Sequence, residues 1–269
     1  MPVILDAASP QIKNQEPVHR FRGENHHLRI ERGSTAVLHE IAVARGPPVG
    51  LHYPCRTEDA ARVTGLATRR TGADGAFPIR IPVLALVASA GGLEALIQVL
   101  APMPSDLPAA VLVVQHQDPA GPADRLADIL QTRTALVVRA ARDGDHLRPG
   151  LVLVAPPATH MIATPHAGLG LIDSGELPPA RPSADLLLAT LAVTCGPRVL
   201  AVVLTGRGHD AQAGIRAVHH CGGTVLAQDE ATAEQFGMPG AAIATGLVHA
   251  VYPLRDLACA ITGRLAAAP

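Results

Sequence analysis

The sequence of 269 residues is poor in aromatic side chains, which make up only 2% of it, and it contains no tryptophan. Hydrophobic residues nevertheless make up 48% of the chain. A core must therefore be built from Ala, Val, Leu and Ile. That composition suits the buried strands and closely packed helices of an α/β protein.

The chain also lacks an excess of basic residues and any pairing of cysteines. Its net charge is −1, so no basic surface for nucleic acid is indicated and we expect no nucleic-acid partner. The four cysteines form no CxxC pair, and the thirteen histidines show no spacing typical of metal ligands. We therefore expect neither a metal site nor a cofactor.

Long apolar runs are missing as well. No run approaches the ~20 residues that are needed to span a bilayer. The first residues, MPVILDAASPQIKNQ, lack the basic-then-apolar profile of a secretory signal. These absences predict a cytoplasmic protein without membrane insertion.

Residues 1–79 differ in character from the rest of the chain. They mix His, Arg, Pro and Gly with short, weak apolar patches, and they end in RRTGADGAFP, a Gly/Asp/Pro cluster typical of a linker. We expect residues 1–79 to form an N-terminal extension that is weakly structured or disordered. Residues 80–269, where the pattern becomes regular, are expected to form one domain.

In the regular part, apolar runs of strand length alternate with stretches of helical spacing. Continuous Val/Leu/Ile runs are typical of strands buried on both faces, and alternation with helices favours parallel pairing. We therefore predict a doubly wound, mostly parallel α/β sheet, a Rossmann-like three-layer sandwich, with one antiparallel hairpin at 161–172. The predicted strands are 83–87, 110–114, 135–138, 151–154, 199–204, 224–227 and 249–251, and the predicted helices are 92–101, 122–132, 184–194, 211–220 and 253–265.

Three of the predicted strands are followed by reactive side chains. Ser89 follows the run VLALV, His116 follows AVLVV, and Asp210 lies in the segment TGRGHD after VLAVVL. Because ligands bind beyond the carboxyl ends of the strands in an open parallel sheet, these side chains can converge on one rim. A serine, a histidine and a carboxylate are the nucleophile, the general base and the orienting acid of a hydrolase triad.

Each of these residues also has a structural interpretation. Serine before a helix is most often an N-cap, and an aspartate in a glycine-rich loop often stabilises a turn. The nucleophile elbow GxSxG is not present, since Val87 stands where its first glycine belongs. A dinucleotide site is a further alternative, although residues 87–92, VASAGG, do not match GxGxxG. The residues alone leave catalytic and structural interpretations about equally open.

Several ordered motifs resemble the CheB-type chemotaxis protein-glutamate methylesterases over about residues 82–265. The resemblance implies a doubly wound sheet with one antiparallel hairpin. It also implies hydrolysis of glutamyl γ-methyl esters on the cytoplasmic helices of chemoreceptors, with deamidation of receptor glutamines as a second activity. The motifs are ASAGGLEAL, VVQHQDP, DGDHLRPGLVLVAPPATHM, RPSADLLL, VVLTGRGHDAQAGIRAV and AQDEATAEQFGMPGAAIATGLV.

The resemblance also implies roles for individual residues. The catalytic serine falls on Ser89, the histidine on His116 and the aspartate on Asp210. Backbone amides near Ala90 and in the loop 206–209 are candidates for the oxyanion hole. The remaining predicted pocket residues are Gly91, Arg207 and Met238.

Four further residues are singled out by their positions in the sequence rather than by the resemblance. His160 and His209 lie near the predicted site and are expected to shape the pocket. Asp118 and Asp185 lie near strand or helix ends and are alternative orienting acids, although the resemblance favours Asp210.

Three features depart from the family pattern. Arg207 stands where the family usually has methionine, and Ala211 stands where it usually has glycine, which matters if that loop needs a positive φ. Residues 1–79 are too short for the receiver domain that many members carry, and we expect none there. A non-catalytic signalling module that retains the esterase fold is therefore the alternative to an enzyme.

Overall fold

The computed structural model of the protein describes residues 77–173, 175 and 181–267. Within these residues a seven-stranded parallel sheet and a two-stranded antiparallel sheet are accompanied by six α-helices. The predicted α/β fold class is confirmed. In chain order the elements are β1 Val83–Ala88, α1 Gly92–Leu100, β2 Ala110–Gln115, α2 Arg125–Gln131, β3 Val137–Ala140, β4 Leu151–Val154, β5 His160–Thr164, β6 Gly168–Ile172, α3 Ala184–Cys195, β7 Val199–Val203, α4 Gln212–His220, β8 Thr224–Gln228, α5 Gly237–Ala244, β9 Ala250–Tyr252 and α6 Leu254–Ala266.

The strand order of the large sheet is β3-β4-β2-β1-β7-β8-β9. Strand β1 lies at the centre, and the chain continues to β2 on one side of it and reaches β7 on the other. Such a reversal of direction opens a crevice at the carboxyl ends of the central strands, which is where ligands bind in sheets of this kind. The topology therefore places the expected site beyond β2, β1 and β7.

Strand β1 is buried on both faces because helices cover both. Val83, Ala85 and Val87 pack in a core with α3, α4 and α5. The alternate residues Leu84, Leu86 and Ala88 pack in a second core with α1, α2 and α6. A strand covered twice has no polar face, which explains why the sequence VLALVA reads as an unbroken apolar run.

Most predicted elements are found with ends shifted by one or two residues, and the hairpin at 161–172 corresponds to the antiparallel pair β5 and β6. Helix α5 was not predicted from the sequence, and its residues GMPGAAIA include two glycines and a proline. Pro239 lies in the first turn of α5, where its missing N–H leaves no helical bond unmade. A short helix with that composition is easily taken for a loop.

The predicted extension at 1–79 falls outside the described residues except for its last three. Within these, Ile79 is buried, and its backbone N–H donates to the carbonyl oxygen of Thr194 at the end of α3. The core of the sheet domain thus includes a residue ahead of β1. No described helix has both the length and the apolar character needed to cross a bilayer.

Candidate active site

Ser89 and His116 occupy equivalent places at the ends of neighbouring strands. Ala88 and Gln115 are register partners of β1 and β2, and Ser89 and His116 are the next residues along each chain. The backbone N–H of His116 donates to the carbonyl oxygen of Ala88. Since adjacent strands lie ~4.8 Å apart, the structure brings these two residues side by side on the rim.

The serine lies in a tight turn between β1 and α1. Its N–H donates to the carbonyl oxygen of Thr205, and its carbonyl oxygen accepts from the N–H of Gly92. Gly91 has a φ of 77°, in the left-handed region that disfavours residues with a Cβ atom. A Cβ atom there would also lie 2.6 Å from Oε2 of Glu234. Glycine at position 91 is thus required by the turn that presents Ser89.

The imidazole of His116 contacts the carboxylate of Asp210 directly. Nε2 of His116 lies 2.8 Å from Oδ2 of Asp210, and the two side chains are 19% and 10% exposed. The residues are separated by 94 positions in the sequence, as expected if they converge from different strand ends. Because Nε2 faces the carboxylate, Nδ1 is the ring nitrogen that remains available for another partner.

The Asp210 carboxylate is surrounded by hydrogen-bond donors. Oδ2 accepts from the N–H of Ala184 at 2.7 Å, and Oδ1 accepts from the N–H groups of Asp185 and Ala211 at 3.0 Å each. Burial by itself would raise the pKa of Asp210. The hydrogen bonds from His116, Ala184 and Asp185 outweigh burial and hold the pKa below its ordinary value. Asp210 therefore stays ionised beside the imidazole.

The Ser89 hydroxyl is half-buried and makes no hydrogen bond to any described residue. The structure thus brings His116 and Asp210 into contact and places Ser89 next to them, but the bond between Ser89 and His116 is not formed. Nucleophile–base contacts of this kind are often made only when a substrate is bound.

The loop after β7 closes over the serine. A Cβ atom on Gly206 would collide with Sδ of Met238 and lie 2.8 Å from Cβ of Ser89. Met238 is buried, and its N–H donates to the carbonyl oxygen of Gly206. Arg207 is exposed, and its Nε donates to Oε1 of Gln235 at 3.3 Å. Gly206 and Met238 therefore shape the floor beside Ser89, and Arg207 contributes a cation to the rim.

The two histidines expected to shape the pocket differ in burial. His160 is fully buried, and its Nδ1 accepts from the N–H of Ser183, the N-cap of α3. His209 is exposed. His160 therefore fixes the helix start that holds Asp210, whereas His209 lies on the surface of the loop.

Neither alternative orienting acid contacts His116. Asp118 is exposed and accepts from the N–H of Ala120. Asp185 accepts from the N–H of Gly214 at 2.8 Å. Burial, with a further contribution from the charge of Asp210, raises the pKa of Asp185 despite the hydrogen bonds that it accepts. Among the described residues no group of three or more His, Cys, Asp or Glu side chains is placed to hold a metal ion.

Ala211 occupies the position where the family resemblance raised the question of a positive φ. Its φ is 94° and its side chain is buried. This conformation costs about 1–2 kcal/mol for a residue with a Cβ atom. The loop that carries Asp210 is therefore strained in this chain and depends on surrounding contacts to keep its shape.

Thr205 is a residue of the site that the sequence reasoning missed. It is 2% exposed, and its carbonyl oxygen accepts from the N–H of Ser89. Its Oγ1 donates to the carbonyl oxygen of Ala90 at 3.0 Å and accepts from the N–H of Gln235 at 2.9 Å. The side chain thus joins the serine turn to the loop that precedes α5. No sequence signal identifies it, because both partners are distant in the chain.

The substitution Thr205→Val should loosen the serine turn, because it keeps the side-chain shape but leaves the Ala90 carbonyl and the Gln235 N–H without a partner. Unpaired buried groups cost about 1–3 kcal/mol. For the ester hydrolysis that the sequence motifs imply, displacement of Ser89 should lower kcat by about 10- to 100-fold. Chemical denaturation and a methanol-release assay measure the two effects.

Thr194→Val is the matched control. The Thr194 hydroxyl is equally buried but donates to the carbonyl of Thr190 within helix α3. Its loss leaves the helical backbone bonds in place, so kcat should stay at the wild-type value. If Thr205→Val reduced stability yet left kcat unchanged, the contact of Thr205 with the serine turn would have no part in catalysis.

The fold and this rim together define a class of protein, the parallel α/β domains that carry a serine, a histidine and an aspartate at the carboxyl ends of central strands. The family model described as CheB methylesterase matches residues 84–261. The chain therefore belongs to the CheB methylesterase family, as the sequence motifs predicted.

Named relatives and a solved structure agree with this assignment. A protein-glutamate methylesterase/protein-glutamine glutaminase of Moorella thermoacetica is 45% identical over 194 residues, covering 70% of this chain and 46% of the relative. A protein of the same name from Pyrococcus horikoshii is 40% identical over 183 residues, covering 67% of this chain and 49% of the relative. The chain thus spans about half the length of these relatives.

The structural comparison concerns the domain alone. The crystal structure of the Thermotoga maritima CheB methylesterase catalytic domain matches with a TM-score of 0.66 and 31% sequence identity. The match covers 70% of this chain and 100% of that domain. The described fold is therefore that of the catalytic domain in this family.

Proposed function

We propose that this protein is a serine esterase that hydrolyses γ-methyl esters of glutamyl residues in methylated chemoreceptors. The observation that carries the proposal is the 2.8 Å contact between His116 and Asp210 directly beside Ser89. A histidine oriented by a partly buried, ionised carboxylate next to a serine is the arrangement that activates a hydroxyl as a nucleophile. The names of the relatives indicate the substrate class.

In the first step Ser89 Oγ attacks the ester carbonyl carbon while His116 takes the hydroxyl proton. Nε2 is engaged by Asp210, so Nδ1 is the nitrogen that accepts this proton. Asp210 keeps the other proton of the ring on Nε2 and stabilises the imidazolium that forms. Because Ser89 makes no hydrogen bond to a described residue, its hydroxyl is free to turn toward Nδ1 when the ester binds.

The negative charge that develops on the carbonyl oxygen needs donors at the rim. Among the described residues, the N–H groups of Ala90 and Gly91 have no acceptor, and they lie at the start of helix α1, whose partial positive charge favours an anion. The N–H of Gly206 donates to the carbonyl oxygen of Gln235 and is therefore not available to the oxyanion. Of the predicted loop donors at 206–209, the N–H groups of residues 207–209 remain. We propose that the N–H group of Ala90 and the N–H groups of loop residues 207–209 bind the oxyanion.

The tetrahedral intermediate then breaks its bond to the methoxy oxygen, and His116 donates to that oxygen the proton that it took from Ser89. Methanol departs and an acyl-enzyme ester remains on Ser89. A water molecule, deprotonated by Nδ1 of His116, attacks the acyl carbon and releases the glutamate carboxylate and the free serine. Every proton is carried by His116, so the scheme uses no cofactor.

The same sequence of steps converts a glutamine side chain into glutamate. The leaving group is then ammonia, which must receive the proton that His116 has taken from Ser89. The names of the relatives include protein-glutamine glutaminase. We therefore propose deamidation of receptor glutamines as a second activity of the same site.

The proposed partners are the cytoplasmic helices of methylated chemoreceptors, and the proposed location is the cytoplasm where those helices lie. Both rest on the family and on the names of the relatives. Arg207 on the rim gives the site a cation that would favour acidic side chains near the methylated residue.

The decisive experiment is an assay of methanol release from membranes that contain methylated chemoreceptors, run beside labelling with a fluorophosphonate probe that reacts with activated serines. The proposal predicts methanol release together with one labelled serine, Ser89. If the probe labels no serine and no receptor of a panel yields methanol, the result would instead favour a binding module that has kept the fold without its catalysis.

A further inference from the structure

The carboxylates of Asp185 and Asp210 are arranged reciprocally at the starts of two neighbouring helices. Asp210 lies just before α4 and accepts from the N–H groups of Ala184 and Asp185 in the first turn of α3. Asp185 lies in that first turn of α3 and accepts from the N–H of Gly214 in α4 at 2.8 Å. Each helix start is therefore capped by a carboxylate from the other.

Helix α4 has no cap of its own. Its N-cap residue is Ala211, which has no side-chain acceptor for the N–H groups of the first turn. Asp185 supplies the missing acceptor for the N–H of Gly214 in this first turn. The contact thus holds the first turn of α4, which begins directly after Ala211.

The turn at Ala211 needs such support. Its φ of 94° is unfavourable for alanine, and relaxation of this residue would rotate the peptide that joins it to Asp210. A rotation there would carry the Asp210 carboxylate away from Nε2 of His116. Asp185 accepts from Gly214 and so links the start of α4 to helix α3, whose first N–H groups hold Asp210.

We propose that Asp185 is a positioning residue of the site: by capping α4 it holds the strained turn at Ala211 and thereby keeps Asp210 in contact with His116. The inference rests on the proposed function, because it assigns Asp210 the orienting role in hydrolysis. Asp185 itself touches neither the imidazole nor the serine.

The test compares three substitutions at Asp185. Asp185→Ala removes the acceptor, Asp185→Asn keeps an acceptor oxygen at the same place, and Asp185→Glu keeps the charge but moves the carboxylate by one methylene. Asp128→Ala is the control, since Asp128 lies exposed in the first turn of α2. Two properties are measured for each variant: kcat and KM for methanol release, and the low-field proton NMR signal of the hydrogen bond between His116 and Asp210 in the absence of substrate.

We expect Asp185→Ala to lose or shift the NMR signal and to lower kcat by about 10- to 100-fold, with KM within about 2-fold of the wild type. Asp185→Asn should restore the signal and bring kcat to within about 3-fold of wild type, because the acceptor is kept. Asp185→Glu should fold and show a loss of kcat between those of the Asn and Ala variants. Asp128→Ala should match the wild type in both measurements.

A wild-type signal and wild-type kcat in folded Asp185→Ala would overturn the proposal, as would an Asn variant no better than the Ala variant. If Asp185→Ala does not fold, Asp185→Glu decides: a wild-type signal and kcat would overturn the inference. A wild-type protein that releases no methanol would refute the proposed function alone, because the NMR signal reports on the position of Asp210 without any substrate.

Discussion

Replacement of Ser89 by alanine should abolish methanol release and leave the stability of the fold unchanged. Loss of a serine nucleophile lowers kcat by up to ~10⁶-fold, and the oxyanion donors and binding contacts alone retain only ~10³- to 10⁴-fold catalysis over water. The Ser89 hydroxyl makes no hydrogen bond to a described residue. The free energy of unfolding should therefore change by no more than about 0.5 kcal/mol.

Ser105→Ala is the matched control, because Ser105 is an exposed serine between α1 and β2. It should keep wild-type turnover and wild-type labelling by a fluorophosphonate probe, whereas Ser89→Ala should lose both. Undiminished hydrolysis by a folded Ser89→Ala protein would show that another group performs the attack. The proposed mechanism would then be wrong at its first step.

The convergence of the three side chains was predictable because each of them follows a buried apolar run. Parallel strands have their carboxyl ends at one edge, so Ser89, His116 and Asp210 had to meet there once the strands were assigned. The pairing of Ala88 with Gln115 sets Ser89 beside His116 by register alone. The fold class and the choice of rim therefore follow from hydrophobic pattern and topology.

The supports of the site were not predictable in the same way. The sequence RPSADLLL shows that Ser183 starts a helix, but no local pattern says that its first N–H groups bind Asp210, 26 residues away. Thr205 and Asp185 act through partners equally remote in sequence. Contacts of this kind depend on how α3 packs against α4 and on where the loop before α5 runs, neither of which leaves a periodic signal.

The strained turn at Ala211 was predictable only in part. The resemblance placed alanine where a glycine is usual and so raised the question of a positive φ. The structure answers that the loop keeps the left-handed conformation with alanine in it. A comparison with a motif thus located the strain, and the structure adds its surroundings: the N–H of Ala211 donates to Asp210, and Asp185 accepts from Gly214 in the first turn of α4.

The substitution Asp210→Asn should lower kcat by about 10⁴-fold at neutral pH, as expected when the orienting acid of such a triad loses its charge. In the proposed mechanism the carboxylate keeps a proton on Nε2 of His116 and so leaves Nδ1 free to accept from Ser89. An asparagine amide that faces Nε2 donates instead, which moves the ring proton to Nδ1. The imidazole then holds a proton where the serine must deliver one, and the general base is lost.

An asparagine at position 210 cannot satisfy all the hydrogen-bond donors that surround the Asp210 carboxylate. Its two oxygens accept from Ala184, Asp185 and Ala211 as well as from His116. Whichever way the asparagine amide turns, its NH₂ group meets at least one backbone N–H, and an unpaired donor there costs about 1–3 kcal/mol of stability. Asp118→Asn is the control, because Asp118 is exposed and its carboxylate accepts, among the described residues, only from the N–H of Ala120. It should turn over within about 2-fold of the wild type, as expected for a surface substitution. Full activity in Asp210→Asn with a loss in Asp118→Asn would mean that the orienting acid is the neighbour of His116 in sequence rather than its partner in space.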